Sequence, residues 1–292
     1  MYRRRTRSTR FTRRARASTS RRSPRSYGRR RSTRPMMKRV MRRTSVRRIL
    51  NISSRKKRNN IPPVNFNYLG QSPVTGSKTM GSDRITFLIW RPTALTYDSE
   101  LTTETTRNAQ TIYWRGVKER AEIATSSGAA WRWRRIVFEA KGLQVANLVS
   151  NVESSNGYGR AMVEMSGDPP GNIRNALQTI LFQGVAGTDW TNVFNAKVDT
   201  RRVKLHTDRV RHLQSGNDRG RYYTFSQWMP FNKNMTYDDD EVGKDASDQS
   251  FASTGRTGMG DVYVYDMFEC TTNDSTHQLN FNPQATLFWH EK

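Results

Sequence analysis

Apolar positions change character three times along this chain. Residues 1–34 hold only scattered ones, Tyr2, Phe11, Ala15, Ala17 and Tyr27, without a period. From Pro35 they gather: Met36, Met37, Val40, Met41, Val46, Ile49, Leu50 and Ile52. Val46, Ile49 and Leu50 have helical spacing and predict a short helix once the surrounding charge is neutralised. Residues 59–82, with Pro62-Pro63, Gly70, Pro73, Gly76 and Gly81, read as a polar linker. Beyond them, short apolar runs alternate with turn-rich loops, predicting strands over 84–91, 111–123, 131–141, 159–166, 179–184, 202–214, 221–229, 261–270 and 285–290. In the 261–270 run, Val262, Val264 and Phe268 point one way and Tyr263, Tyr265 and Met267 the other. In 131–138 the apolar set changes phase from Trp131/Trp133 to Ile136/Phe138, which argues for a β-bulge near Arg134-Arg135. Ile173, Ala176, Leu177 and Ile180 keep 3–4 spacing, so 172–181 is a helix alternative to a strand over 179–184. Eight or nine strands with long loops predict an all-β chain: a single antiparallel jelly-roll sandwich over 83–292, preceded by a disordered basic arm.

Charge sharpens that division. The chain of 292 residues has 50 Lys+Arg and 25 Asp+Glu, a net charge of +25. Residues 1–58 contain 22 Arg, 3 Lys and no acid; the first carboxylate is Asp83. The arm carries the whole excess, and residues 59–292 sum to zero. An acid-free Arg-dominated segment repels itself and cannot bury enough apolar surface to offset its ordering entropy, so it is expected to be disordered when free. The other 234 residues suffice for one large β-domain. A single cysteine, Cys270, leaves no internal disulfide and no Cys-based zinc site. The densest apolar run, Ile85-Thr86-Phe87-Leu88-Ile89-Trp90, is strand-sized, so no membrane partner is expected. Residues 1–30 lack the apolar centre of a secretory signal, and Arg3-Arg4-Arg5 and Arg29-Arg30-Arg31 would put charge on every face of a transit-peptide helix.

No catalytic constellation emerges. His206, His212, His277 and His290 form no HExxH or His-x-His pair. Gly76-Ser77-Lys78-Thr79 lacks the glycine before the lysine, and the preceding strand, of a phosphate-binding loop. Cys270 reads as a buried structural thiol. Asp238-Asp239-Asp240-Glu241 lacks the ligand spacing of a calcium loop and reads as solvated. Neither enzyme activity nor a cofactor nor a metal is expected.

Basic residues carry the binding chemistry. Guanidinium groups meet phosphates bidentately and stay charged, so the arm is expected to bind nucleic acid without choosing bases. The residues concerned are Arg3, Arg4, Arg5, Arg7, Arg10, Arg13, Arg14, Arg16, Arg21, Arg22, Arg29, Arg30, Arg31, Arg34, Lys38, Arg39, Arg42, Arg43, Arg47 and Arg48. Arg55-Lys56-Lys57-Arg58, with Arg42-Arg43 upstream, has the spacing of a bipartite nuclear-import signal and implies an import receptor as partner. On the body, Arg132, Arg134, Arg202 and Lys204 either meet nucleic acid or pair with Asp199, Asp208 and Asp218. Trp131 and Trp133 read as core.

Three further blocks are more specific: Arg47-Arg48-Ile49-Leu50-Asn51-Ile52-Ser53-Ser54-Arg55-Lys56-Lys57-Arg58; Tyr113-Trp114-Arg115-Gly116-Val117-Lys118-Glu119; and Thr125-Ser126-Ser127-Gly128 leading into Trp131-Arg132-Trp133-Arg134-Arg135. Together with the arm they resemble the capsid proteins of genomoviruses, circular single-stranded DNA viruses of fungi and insects distantly similar to geminiviruses. The Cys/His zinc-finger-like element of many geminivirus coat proteins has no counterpart here. The resemblance implies a jelly-roll subunit, a small T=1 icosahedral shell of 60 copies around single-stranded DNA, and residence in the virion and the host nucleus. Sixty arms carry about 1,500 positive charges, matching a genome of roughly that many phosphates or somewhat more. A protamine- or histone-like condenser or a ribosomal protein with a basic extension is the alternative; a condenser needs no large neutral β-domain, whereas a shell subunit must pack against many neighbours.

Overall fold

The computed structural model describes residues 46–67, 73–98, 103–143, 151–154, 157–166, 171–243, 245–247, 249–255 and 258–292. The arm residues up to 45 lie outside them. Helix α1 (Val46–Ser53) leads into β1 (Arg55–Ile61), β2 (Pro63–Asn67), β3 (Val74–Thr75), β4 (Lys78–Gly81) and β5 (Thr86–Trp90). Two long strands follow, β6 (Thr111–Thr125) and β7 (Trp131–Ala140), then β8 (Asn151–Ser154), β9 (Gly157–Glu164) and helix α2 (Gly171–Leu181). The chain closes with β10 (Lys204–Leu213), β11 (Tyr222–Thr236), β12 (Glu241–Val242), β13 (Asp245–Ala246), β14 (Asp261–Cys270) and β15 (Gln278–Glu291).

Eight of these strands make a jelly roll. The first sheet runs β1-β15-β6-β11 and the second contains β10-β7-β14-β5. Taken in chain order the eight pair from the outside inward, always antiparallel: β1 with β15, β5 with β14, β6 with β11, β7 with β10. Such nesting is a long hairpin rolled on itself, which the expected all-β jelly-roll class requires. The second sheet continues through β9, β2 and β3, where β2 and β9 run parallel.

The expected boundaries shift. Arg55–Arg58, assigned to the arm, lie in β1, and the expected linker 59–82 contains the rest of β1 together with β2, β3 and β4. The physical reason is alternation that survives high polarity: Lys57, Asn59 and Ile61 face inward and Lys56, Arg58 and Asn60 outward. Lys57 is 5 % exposed and reaches Glu291 of β15 at 2.8 Å and the Thr106 carbonyl at 2.8 Å.

The body has three layers. The inward face of the first sheet (Trp114, Val117, Ile123, Leu287, Trp289) packs on Trp133, Val137, Val264 and Phe268 of the second. The other face of that second sheet (Ile136, Phe138, Tyr263, Tyr265, Met267) is covered by Leu177 and Leu181 of α2 and by Phe182, Phe194 and Val198. Burying each such aromatic or aliphatic side chain contributes on the order of 2 kcal/mol. Two corrections follow. No bulge occurs at Arg134-Arg135, where β7 keeps unbroken register with β14. The phase change arises because β7 is buried on both faces; the register shift lies in β10, between Leu205 and Thr207. Nor is 179–184 a strand, since α2 runs to Leu181 and turns Leu177 and Leu181 onto the sheet.

A charge cluster joins the two sheets inside the sandwich. Arg135 donates to Asp266 at 2.7 and 2.9 Å and to Glu119 at 2.6 and 3.1 Å. Arg160 lies 3.2 Å from Glu119 and 3.7 Å from Asp266, and the Trp133 indole donates to Asp266 at 2.7 Å. Burial alone would lower the Arg135 guanidinium, but Asp266 and Glu119 outweigh it and raise it. Two cations and two carboxylates make the cluster neutral, which is the condition for burying charge at tolerable cost.

Candidate nucleic-acid interface

Arg3, Arg4, Arg5, Arg7, Arg10, Arg13, Arg14, Arg16, Arg21, Arg22, Arg29, Arg30, Arg31, Arg34, Lys38, Arg39, Arg42 and Arg43 lie outside the described residues. The structure picks up the chain at α1, whose Arg48 is exposed and whose apolar positions Ile49 and Ile52 are 53 % and 74 % exposed. In the second import cluster, Arg55, Lys56 and Arg58 are exposed, but Lys57 is committed to Glu291 and also donates to Asn108 Oδ1. A receptor reading four consecutive basic side chains therefore meets three.

The four body candidates separate into two kinds. Arg134 is 3 % exposed, donates to Asp208 at 2.9 and 2.7 Å and to the Ala196 carbonyl at 2.7 Å, and lies 5.3 Å from the Phe182 ring. It is a structural cation with no freedom to meet a phosphate. Arg132 pairs with Glu269 and sits 4.1 Å from the Phe194 ring. Trp131 and Trp133 are core, as their alternation predicts.

Arg202 and Lys204 remain open. They line a cleft of about 640 Å³ together with Glu139, Lys141 and Arg201. Lys204 donates to Glu139 at 2.5 Å, His206 lies 3.2 Å and Lys233 3.8 Å from the same carboxylate, and Arg201 and Arg202 flank Asp199 at 3.0 and 3.6 Å. Burial pushes the Glu139 carboxyl up, but hydrogen bonds from His206 and Lys204, the Lys204 charge and the Gly260 amide overcome it and hold it at about 2. Pairing thus consumes part of this cluster's charge. Asp218 forms no ion pair among the described residues.

A second basic surface escaped the sequence reading. The outward face of the first sheet carries Lys56 and Arg58 from β1 and Arg115, Lys118 and Arg120 from β6, all exposed, against one acid, Glu122. None of the five cations is ion-paired among the described residues; Arg115 donates to Asn232 Oδ1 at 2.7 Å and Lys56 to the Asn51 carbonyl at 2.9 Å. The available signal was the alternation of β6, in which Lys118, Arg120 and Glu122 occupy every second position opposite apolar Ala121 and Ile123. Among the described strands, β1 is the first along the chain, and it lies in this sheet.

The acidic run resolves into separate roles. Asp239 is buried and receives a bidentate pair from Arg107 at 2.6 and 3.1 Å, whereas Asp238, Asp240 and Glu241 are exposed beside the small hairpin β12–β13. Among the described residues no group of three His, Cys, Asp or Glu side chains is placed to hold a metal ion. Cys270 is buried.

No protein-family model matches the chain. No curated protein matches it either. Among solved structures, the unassembled VP1 pentamer of Washington University polyomavirus, a point mutant, aligns with 82 % of this chain and 93 % of that one, at 10 % identity and a TM-score of 0.16. At that score the alignment assigns nothing to this chain, and the fold class stands on the strand pairing itself.

Proposed function

We propose that this chain is the coat subunit of a small icosahedral virus and packages single-stranded DNA through its N-terminal arm. One combination carries the reading: an eight-stranded jelly roll that, from β1 onward, has a net charge of only +4, preceded by a 54-residue segment with 21 cations and no acid. A nearly neutral, three-layered body packs against copies of itself with little mutual repulsion, and an Arg-rich arm binds phosphates irrespective of sequence. A condenser of DNA needs only the second half of that combination. The genomovirus-like blocks named above support 60 copies around a circular genome, with the virion and the host nucleus as locations.

Nuclear import belongs to the same proposal. With Lys57 folded under Glu291, the cations left for a receptor are Arg42 and Arg43 with Arg55, Lys56 and Arg58. A fluorescent reporter fused to residues 38–58 should accumulate in nuclei; even distribution would remove import from the proposal.

Electron microscopy of the purified full-length protein tests the central claim. Discrete closed particles of uniform diameter are expected in the presence of single-stranded DNA. Monomers that persist across salt and protein concentration would sink it.

A further inference from the structure

The arm explains why nucleic acid is bound but not why it should be single-stranded, because phosphates are common to single strands and duplexes. The outward face of the first sheet has the missing chemistry. Along β11 the inward positions are Tyr223, Phe225, Gln227 and Met229, and the outward ones are Tyr222, Thr224, Ser226 and Trp228. Trp228 therefore falls on the polar phase, and it is 46 % exposed; Tyr222 is 74 % exposed. Trp228 is not isolated: Tyr222, Tyr113 and Phe288 put further aromatic rings on the same outward face, and grouped exposed apolar surface marks a contact site.

Its surroundings fix and charge it. The Trp228 ring meets the Phe288 ring edge-on with centroids 5.8 Å apart. It also lies over Gly116, where an added Cβ would come 3.0 Å from Trp228 Cζ2 and 2.2 Å from the Met229 carbonyl oxygen. Gly116, at φ +145°, thus leaves the space the ring fills. Pairing places Lys118 directly beside Trp228, and Arg120 two residues further along the same face. At the other end of the face the Tyr113 and His290 rings lie 5.9 Å apart, with Lys56 opposite His290. Burial lowers the His290 imidazole, and the charges of Arg115 and Lys56 lower it further.

We propose that this face, centred on Trp228 between Lys118 and Phe288, is a single-strand binding track on which unpaired bases stack while the flanking cations take the phosphates. Aromatic platforms interleaved with cations recognise single strands because only unpaired bases offer an open π-face; a duplex presents the cations with phosphates and the indole with nothing. The seven residues of β11 from Tyr222 to Trp228 span about 20 Å, room for several nucleotides. The inference rests on the coat-subunit reading for its biological ligand, but its chemistry is testable apart from that reading.

The test uses full-length Trp228→Ala and Trp228→Phe with a fluorescein-labelled 20-nucleotide thymidine homopolymer and a duplex of equal length. Anisotropy titrations are run at about 0.3 M salt, which weakens the arm's phosphate contacts. Trp228→Ala should lose about tenfold or more in affinity for the single strand and change little for the duplex. Trp228→Phe should retain most of the single-strand affinity. Equal losses on both ligands, or no loss on either, would overturn the track. So would failure of Trp228→Ala alone to form particles while its thermal unfolding is unchanged, since Trp228 would then be covered by a second copy of the chain. Removal of residues 1–45 should weaken both ligands alike, and particle formation by the parent protein is scored separately, so loss of the coat-subunit reading leaves a different signature.

Discussion

Glu119 is the one carboxylate that β6 contributes to the buried charge cluster, and it holds two guanidinium groups from the opposite sheet. Replacing it by Gln leaves Arg135 and Arg160 facing Asp266 alone, an uncompensated charge in the core. Glu119→Gln should therefore lower unfolding free energy by about 3–5 kcal/mol in a urea titration. The double variant Glu119→Gln/Arg160→Met restores neutrality and should recover part of the loss; no recovery would mean that shape, not charge, dominates there. Glu139 makes a pH-dependent contribution of the opposite legibility, since nothing in the sequence joined it to Lys204 and His206. Its folded-state pKa, about 2, lies below the ordinary 4.5. The stabilisation is thus fully present above about pH 4.5 and is lost as pH falls toward 2, on the order of 3 kcal/mol in all. Glu139→Gln should flatten that part of the stability profile relative to the parent, and superimposable profiles would refute the assignment. At this scale the sequence distinguished residue types well and partners poorly. Trp131 and Trp133 declared themselves core by alternation, whereas Arg132 and Arg134 stayed open between phosphate contact and pairing; the pairing reading holds, with Asp208 for Arg134 and with Glu269, from β14, for Arg132.

Among elements, β1 and β7 show what periodicity can and cannot reveal. Strand β14, buried on both faces, was readable to the residue because its run of large apolar side chains is bounded by Gly260 and Thr271. The same burial on both faces made β7 look bulged, since a strand with two apolar faces has no polar phase to mark its register. Strand β1 was invisible for the converse reason: Arg55-Lys56-Lys57-Arg58 reads as a charge cluster unless Glu291, some 230 residues later, is known to face Lys57. Helix α2 was detectable but competed with a strand over the same residues, and the packing of Leu177 and Leu181 on the second sheet decides the matter. The position of β1 yields an element-scale prediction. A chain lacking residues 1–45 keeps all seven β1–β15 pairs and should unfold within a few degrees of the parent. Removing residues 1–61 strips the edge from β15 and leaves Glu291 without its lysine, so that protein should aggregate or melt much lower. Equal melting temperatures for the two truncations would show that β1 does not belong to the folded body.

For the whole molecule the decisive quantity is where the charge sits. Residues 59–292 balance 25 basic against 25 acidic side chains, while the first 58 residues add 25 cations to every copy. Bringing many copies together concentrates those arms in a small volume, and their mutual repulsion opposes closure unless a polyanion neutralises them. Full-length protein at low ionic strength should accordingly assemble only when single-stranded nucleic acid is added, and the loaded particles should hold roughly one phosphate per arm cation. A chain beginning at Val46 keeps six of the cations, Arg47, Arg48, Arg55, Lys56, Lys57 and Arg58. It should close into empty shells at about 0.15 M salt with no nucleic acid present, because the residual repulsion is then screened over roughly 8 Å. Light scattering and electron microscopy of the two proteins, each with and without a thymidine homopolymer, separate the possibilities. If the shortened chain also requires the homopolymer, nucleic acid acts as a scaffold for the body itself. The cationic face around Trp228 then becomes the contact through which that scaffolding works, and Trp228→Ala should lower the shortened chain's affinity for the homopolymer about tenfold while the full-length variant still forms particles.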